Sequence, residues 1–522
     1  MGNLFSKARL VLEAGIHLSK TYDLLADRIA TPPGLPIPNP TRPFWTDPPS
    51  PISSDGDPLP DYADVVIIGS GITGASVAYT LLGLDSSLKV VMLEARDVCS
   101  GATARNGGHI NAPLYHDYSE LKERYGERAA EIMIRFRLEH LREFRRVALA
   151  EDILKVSQVR ETEHLDVYAN TEGFAQAKEN LAKWKNDMPV EASGFESYDG
   201  SEAKTKFRLG EQAVGCIRNP GGAIHPYRFV TSLLAKLLDR YPSQFHIATR
   251  TPCTAIHAST ASAPHYTLTT PHGSITTPHV VHATNGWVSH LLAPLRAKVI
   301  PARGVMTVQR PGSSLSASTH DGGRSYVFYR DTTGYDYLTQ LPTDEHELMF
   351  GGAWAVAVSD GLPELGFADD SEYNFAAAAH LAGALPLYFG PEHWGEEARI
   401  SESVESTQWG IGRTKAQWSG VLAISVDGLP WVGRVPPKVS GRAQPAPKVA
   451  TKEGAALAPP GEWIAAGYTG EGMVHAWMSG KALAYMVLGR EGEIEAWFPD
   501  ILRVTEKRWK AASVDDMISR FM

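Results

Sequence analysis

Six residues, Gly69-Ser70-Gly71-Ile72-Thr73-Gly74, form the pattern GxGxxG, and an acid, Glu94, follows twenty positions after the last glycine. That spacing suits the chemistry of holding a dinucleotide. Gly69 permits a tight turn, Gly71 lets the backbone approach a pyrophosphate, and Gly74 allows close packing of helix on strand. Between them, Ile72 and Thr73 complete the turn. A helix from Gly74 to about Leu82 would aim its N-terminal amides and dipole at the phosphates. A carboxylate at Glu94 would accept hydrogen bonds from the adenosine ribose hydroxyls.

Glycine-rich turns are common, so the elements around this one decide its meaning. Val65-Val66-Ile67-Ile68 is a continuous β-branched run, suited to a parallel strand buried on both faces. Lys89-Val90-Val91-Met92-Leu93 reads as a second strand ending at Glu94. Strand, glycines, helix, strand and acid therefore fall in register from residue 64 to 94. Beyond the acid come Ala95 and Arg96, then Ser100-Gly101-Ala102-Thr103-Ala104-Arg105-Asn106-Gly107-Gly108-His109. Bare backbone there could carry a large ring system, with Arg105 offsetting phosphate charge. A nicotinamide-binding domain has no evident need of such a run, which favours FAD; a Gly-rich loop without a ligand is the alternative.

The wider chain is that of an ordinary globular protein. Its 522 residues suggest roughly two to four domains, with 43% hydrophobic and 21% charged residues. A net charge of -9 argues against broad nucleic-acid binding. Three cysteines, Cys99, Cys216 and Cys253, form no CxxC pair and no disulfide framework, which fits a reducing, cytoplasmic setting. No apolar run is long enough to span a membrane, no secretory signal is evident, and no metal site is expected.

Apolar residues from Leu4 to Ile29 follow helical spacing, and Pro32 to Pro51 should run extended over a surface. Met1-Gly2-Asn3-Leu4-Phe5-Ser6 matches a myristoylation pattern. One acyl chain on Gly2 would give weak membrane-surface association; the plainer alternative is that this helix packs on the protein. A helix is expected from Leu121 to Ala150 and another from Phe229 to Asp239. An antiparallel meander is expected over 325–352, and Pro436 to Pro460 reads as a flexible surface insertion.

Three separated blocks carry a family likeness. The first is the glycine motif continuing through Ala102-Thr103-Ala104-Arg105-Asn106-Gly107-Gly108-His109. The second joins Gly221-Gly222-Ala223-Ile224-His225-Pro226 to His282-Ala283-Thr284-Asn285-Gly286-Trp287. The third comprises Asp427-Gly428-Leu429-Pro430-Trp431-Val432-Gly433 and Gly467-Tyr468-Thr469-Gly470-Glu471-Gly472-Met473. Together they resemble the D-amino-acid oxidase superfamily of flavoenzymes, nearest its glycine, sarcosine and gamma-glutamylputrescine oxidase-like branch.

The resemblance implies an α+β fold. A Rossmann-type, GR2-like FAD-binding domain from 61–115, 215–300 and 415–500 would be intertwined with an antiparallel-sheet substrate domain from 116–214 and 301–414. Residues 1–60 would be an arm, 436–460 the insertion and 501–522 a tail. It also implies that Thr284, Asn285, Gly286, Gly428, Gly467, Gly470, Glu471, Gly472 and Met473 join the first block around the cofactor. Amides near Gly472 and Met473 would stabilise charge on the reduced flavin. The stretch Trp418-Ser419-Gly420-Val421-Leu422 has no cysteine where a sarcosine oxidase-like attachment would fall, so noncovalent FAD is expected.

The activity implied is oxidation of a carbon–nitrogen bond in a small-molecule amine or amino acid by hydride transfer, with oxygen as acceptor. His109 is the candidate to take an amine proton or bond the flavin, with loop packing as its plainer use. Tyr329 and Tyr337 are candidates to frame a cationic amine, as are Trp354 and Trp409. Arg303, Arg330 and Arg413 are the arginines available to clamp a carboxylate. Alternatives are an FAD dehydrogenase using quinone or another acceptor, a biosynthetic tailoring oxidase, and a noncatalytic scaffold or redox sensor.

Overall fold

The structure, a computed structural model, describes residues 23–54, 58–259, 265–315, 321–330, 334–356, 364–397, 409–445, 457–515 and 517. Gly2 and most of the expected first helix lie outside these residues; 23–30 is helical and buries Leu25 and Ile29. Among the described residues no helix is long and apolar enough to cross a membrane.

Val65–Ile68 is buried throughout and pairs in parallel with Val90–Leu93 on one side and His279–His282 on the other. Phe245–Ala248 and Gly461–Ala466 extend the parallel sheet, and Trp431–Arg434 closes it as an antiparallel edge. Both faces are covered, so unbroken apolar runs are needed here. Val65 and Ile67 face the helices Ile72–Leu84 and Ala476–Val487. Those helices approach closely: Ser76 Oγ donates to the Trp477 carbonyl at 2.6 Å. Val66 and Ile68 face a three-stranded meander, Ala255–Ser259, His265–Thr270 and Gly273–Thr277.

A nine-stranded sheet forms the second layer. Its main path runs Thr414–Ser425, Val299–Gln309, Leu348–Gly352, Tyr335–Gln340, Arg324–Tyr329, Arg160–Tyr168, Gly215–Ala223 and His109–Ile110, and Glu196–Asp199 pairs beside Gly215–Ala223. Side chains alternate across it. Tyr326, Phe328, Leu338 and Phe350 pack under the helix Phe375–Trp394. Thr339, next to Leu338, points the other way and donates to the Gly107 carbonyl at 2.6 Å. The opposite face of this sheet thus meets the small-residue loop that follows Glu94. The architecture is α+β, with a Rossmann-type layer and a largely antiparallel layer threaded through each other.

Several expected boundaries shift. Gly215–Ala223 and Thr414–Ser425 hydrogen-bond within the nine-stranded sheet rather than beside Val65–Ile68. The expected helix 121–150 is two helices, Leu114–Tyr125 and Glu127–Ala150, because Gly126 takes φ +86° between them. The expected insertion begins as packed structure. Val439 is fully buried, and Arg442 makes two bonds to Glu462 at 2.6 and 2.9 Å; only 446–456 lies outside the described residues. The expected tail is docked too: Arg508 binds both oxygens of Asp427 at 2.8 and 3.0 Å and covers the Trp431 ring. The N-terminal arm is not confined to a surface, for Trp45 is buried and donates to the Asn106 carbonyl at 2.5 Å.

Candidate active site

The glycine turn opens onto a cleft with about 1270 Å³ of empty space, including its mouth. Gly69 takes φ +108°, and a side chain there would lie 2.6 Å from the Ala283 carbonyl oxygen. At Gly74 a Cβ would lie 2.0 Å from the Gly69 carbonyl, so helix and strand touch only because no side chain intervenes. Glu94 is fixed by its neighbours. Its Oε2 accepts from the Ser70 amide at 3.1 Å and hydroxyl at 2.6 Å, and its Oε1 accepts from the Arg96 amide at 2.9 Å. Oε1, which accepts one bond, retains lone-pair capacity for a further donor.

From the far end of the cleft, the wall passes to the nine-stranded sheet. Asn106 Nδ2 donates to Met473 Sδ at 3.8 Å, and the space a Gly107 side chain would fill is closed by the Tyr337 ring, 2.8 Å away. Tyr337 and His109 stack with centroids 6.4 Å apart. Tyr329 stands elsewhere, stacked on Tyr168 at 4.9 Å and bonded through its hydroxyl to His116 Nε2 at 3.0 Å. A chain of hydrogen bonds joins the two places. His109 meets His164 at 3.2 Å, His164 meets Asp166 at 3.1 Å, Tyr115 donates to Asp166 at 2.8 Å, and Tyr115 meets Tyr168 at 2.8 Å.

Burial drives the His109 imidazole well below its usual range, helped by His164 and opposed by Asp166. Asp166, though buried, stays below the usual carboxylate range because His164 faces it. Burial pushes the Tyr329 phenol well up, with Asp166 adding to the effect.

Glu471 turns away from the cleft wall toward this sheet. Its Oε2 lies 3.6 Å from Arg137 Nη2 and 3.7 Å from His475 Nδ1, beyond hydrogen-bond reach. Arg137 is held instead by Asp117 at 2.7 and 2.9 Å and donates to His475 Nε2 at 3.1 Å. Burial raises the Glu471 carboxyl to about 7, with Arg137 opposing and Asp117 adding. Its charge also acts on Tyr329 and Tyr335.

Residues 64–486 match the DAO family, described as FAD dependent oxidoreductase. The chain belongs to this family of FAD-dependent oxidoreductases. Glycine oxidase from Geobacillus kaustophilus superposes with a TM-score of 0.60 at 16% identity, covering 86% of this chain and 99% of that one. L-proline dehydrogenase from P. horikoshii gives 0.61 at 17% identity, over 87% and 100%. A probable malate:quinone oxidoreductase from Bordetella avium is 45% identical over 58 residues, 11% of this chain and 11% of that protein's length.

The cleft suits the cofactor of a DAO-family oxidoreductase. Thr284 Oγ1, Trp287 Nε1 and His290 Nδ1 are buried there without hydrogen-bond partners among the described residues. Buried polar atoms need partners, and the hydroxyls and ring nitrogens of FAD are of the kind that supply them.

Most of the expected cofactor residues line the cleft: Gly69, Gly71, Ile72 and Thr73; Glu94, Ala95 and Arg96; Gly101, Ala102, Thr103 and Asn106; Thr284 and Asn285; Gly470, Gly472 and Met473. Others do not. Gly74, Gly107 and Gly108 pack against backbone or rings behind the wall, and Gly286 lies against the Leu422 carbonyl. Gly428 and Gly467 serve turns at φ +80° and +79°. Arg105 is no phosphate partner, because it is buried and donates to the carbonyls of Ser419 and Ser100 with Asp370 alongside. His109 and Glu471 belong to the sheet side.

Of the further candidates, Trp409 packs on Phe44 and Trp354 on a separate core cluster. Arg303, Arg330 and Arg413 pair with Glu364, Asp336 and Glu397, on or beyond the sheet face covered by Phe375–Trp394. Sequence reasoning passed over Leu35, Pro36, Trp287 and His290 in the cleft, and Tyr335 and His116 beside Tyr329. Alternation with Tyr337 was a signal for Tyr335; for His116 there was none.

Proposed function

We propose that this protein oxidises a carbon–nitrogen bond of a small-molecule amine or amino acid, transferring hydride to noncovalent FAD with oxygen as acceptor. The observation carrying this reading is the pair of rings Tyr329 and Tyr335, 5.9 Å apart and within electrostatic range of the Glu471 carboxyl, with Tyr337 closing on Gly107 beside the cleft. When bound, FAD supplies the hydride acceptor. The protein's own part is to hold the donor carbon in place, exclude water and take the amine proton, because only a neutral amine releases hydride readily. The tyrosine rings supply aromatic faces, and Glu471 supplies a carboxyl poised near neutral pH.

Noncovalent attachment is supported by the thiols. Burial raises Cys99 far above the ordinary range and Cys253, which lines the cleft, to about 12. Neither is a nucleophile at neutral pH. The fold neighbours named for glycine and L-proline support a nitrogen-bearing substrate.

Two measurements test the reading. Acid precipitation should release yellow FAD into the supernatant, and a flavin left on the pellet contradicts noncovalent attachment. In an oxygen electrode, an amine substrate should drive oxygen uptake with matching peroxide. Turnover that reduces only quinone dyes moves the acceptor toward a dehydrogenase, the reading favoured by the short match to a quinone-dependent protein.

A further inference from the structure

Two side chains stay accessible where the helix Glu127–Ala150, the glycine-rich block at 467–473 and the nine-stranded sheet come together. Tyr335 is 48% exposed and the Glu471 side chain 32%, although each faces neighbours from another layer. The Glu471 carboxylate accepts no hydrogen bond from any described residue, since Arg137 and His475 stop at 3.6 and 3.7 Å. A half-buried carboxylate in that state can accept a further donor. The rings of Tyr329 and Tyr335, 5.9 Å apart, stand across from it, and their π-faces favour a cation.

The same place is poor in groups for a carboxylate. Arg137 reaches it, but Asp117 holds its Nη1, His475 its Nε, and its Nη2 already faces Glu471 at 3.6 Å, so a substrate carboxylate would have to compete with Glu471 for it. Arg303 and Arg413 are bonded to acids, and Arg330 lies 3.8 Å from Asp336 on the face under Phe375–Trp394, so all three point away from this side of the sheet. Asp117 and Glu471 are both acidic, so a second carboxylate would meet repulsion.

We propose that Glu471 receives the cationic nitrogen of the substrate between Tyr329 and Tyr335, and that the substrate is an amine with no carboxylate on its reacting carbon. This rests on the amine-oxidation reading above. An N–H proton passes from the bound ammonium to a Glu471 oxygen, which becomes a neutral carboxylic acid. The nitrogen keeps the electron pair of that bond, leaving the neutral amine needed for hydride loss. The raised carboxyl of Glu471 suits this exchange near neutral pH. The groups that face it are Arg137 and Asp117 from the two preceding helices, His475 beside it, and Tyr329 and Tyr335 from the sheet.

The test uses FAD-loaded full-length protein and pairs of ligands differing only by that carboxylate: putrescine with ornithine, phenethylamine with phenylalanine, butylamine with norvaline. Anaerobic changes in the flavin spectrum report binding and reduction. In at least one pair the amine should bind or reduce at least about tenfold better than its amino acid, a difference of about 1.4 kcal/mol. E471Q should keep its FAD spectrum yet lose amine binding by a similar factor and lose its rise between pH 6 and 8, and E471D should recover part of it. An amino acid that reduces the flavin faster than its amine overturns the substrate class while leaving carbon–nitrogen oxidation intact. Unchanged amine binding in E471Q overturns the role of Glu471. If neither these pairs nor any other amine perturbs the flavin, this proposal and the amine reading fall together.

Discussion

The Ser70 hydroxyl donates to Glu94 Oε2 at 2.6 Å, and the Ser70 amide donates to the same oxygen at 3.1 Å. The acid at the end of Val90–Leu93 is thereby tied to the glycine turn at the end of Val65–Ile68. A ligand that bonds Glu94 at one side and the turn amides at the other meets a site already organised. E94A should weaken FAD retention by roughly 10- to 100-fold, the range for hydrogen bonds to a charged group. Flavin fluorescence released on dilution measures it. Retention equal to the parent protein would remove Glu94 from the cofactor site.

Gly74 has no room for a methyl group, since a Cβ would fall 2.0 Å from the Gly69 carbonyl oxygen. G74A should move the helix off the strand and cost on the order of 2–4 kcal/mol. The variant should be colourless or unfold at markedly lower temperature. A yellow G74A protein with unchanged melting would show that the contact yields.

His140 is fully buried, its Nδ1 bonded to the Phe136 carbonyl at 2.9 Å and its Nε2 accepting from the Met478 amide at 3.3 Å. Burial lowers it to about 4 in the fold, against about 6.5 in the unfolded chain. The unfolded chain therefore binds the extra proton between those values. Stability from neutral His140 is complete above pH 6.5 and is lost as pH falls toward 4, by about 3 kcal/mol. His109, His225 and His475 shift the same way. Melting temperature should fall steadily below pH 6.5, and less steeply in H140Q relative to its own value at pH 7.5. A flat profile from pH 7 to 5 would contradict the buried neutral imidazoles.

Arg330 extends from Tyr329 toward Asp336, 3.8 Å away, on the face under Phe375–Trp394. If substrate meets the other face, R330M should leave KM within about twofold, as for a change remote from the site. A large rise in KM confined to carboxylate-bearing substrates would place Arg330 at the substrate after all.

What the chain reveals on reading follows the range of the interaction. The turn at Gly69–Gly74 and the acid at 94 are legible because each glycine answers a local backbone demand and the strand runs show their burial directly. Tyr329 and Tyr337 share a face because Tyr329 pairs across with Tyr335, two positions before Tyr337, yet their partners could not be read. His164 and Asp166 reach His109 only because Arg160–Tyr168 pairs with Gly215–Ala223 beside His109–Ile110. Arg105 looked like a phosphate ligand because a cation in a Gly-rich loop is chemically apt, but Asp370, far along the chain, holds it instead. The docked tail was missed for a similar reason: the partner of Arg508, Asp427, stands 81 positions away.

The most direct test of the account is the visible spectrum of the purified protein under anaerobic conditions, before and after pooled amines are added. The pools are N-methyl amino acids, D-amino acids, polyamines and acylated polyamines. The account predicts an oxidised flavin band that bleaches with one pool and returns on admitting air. A protein that cannot be reconstituted with FAD contradicts it at its base, and a flavin band that no amine bleaches contradicts carbon–nitrogen oxidation.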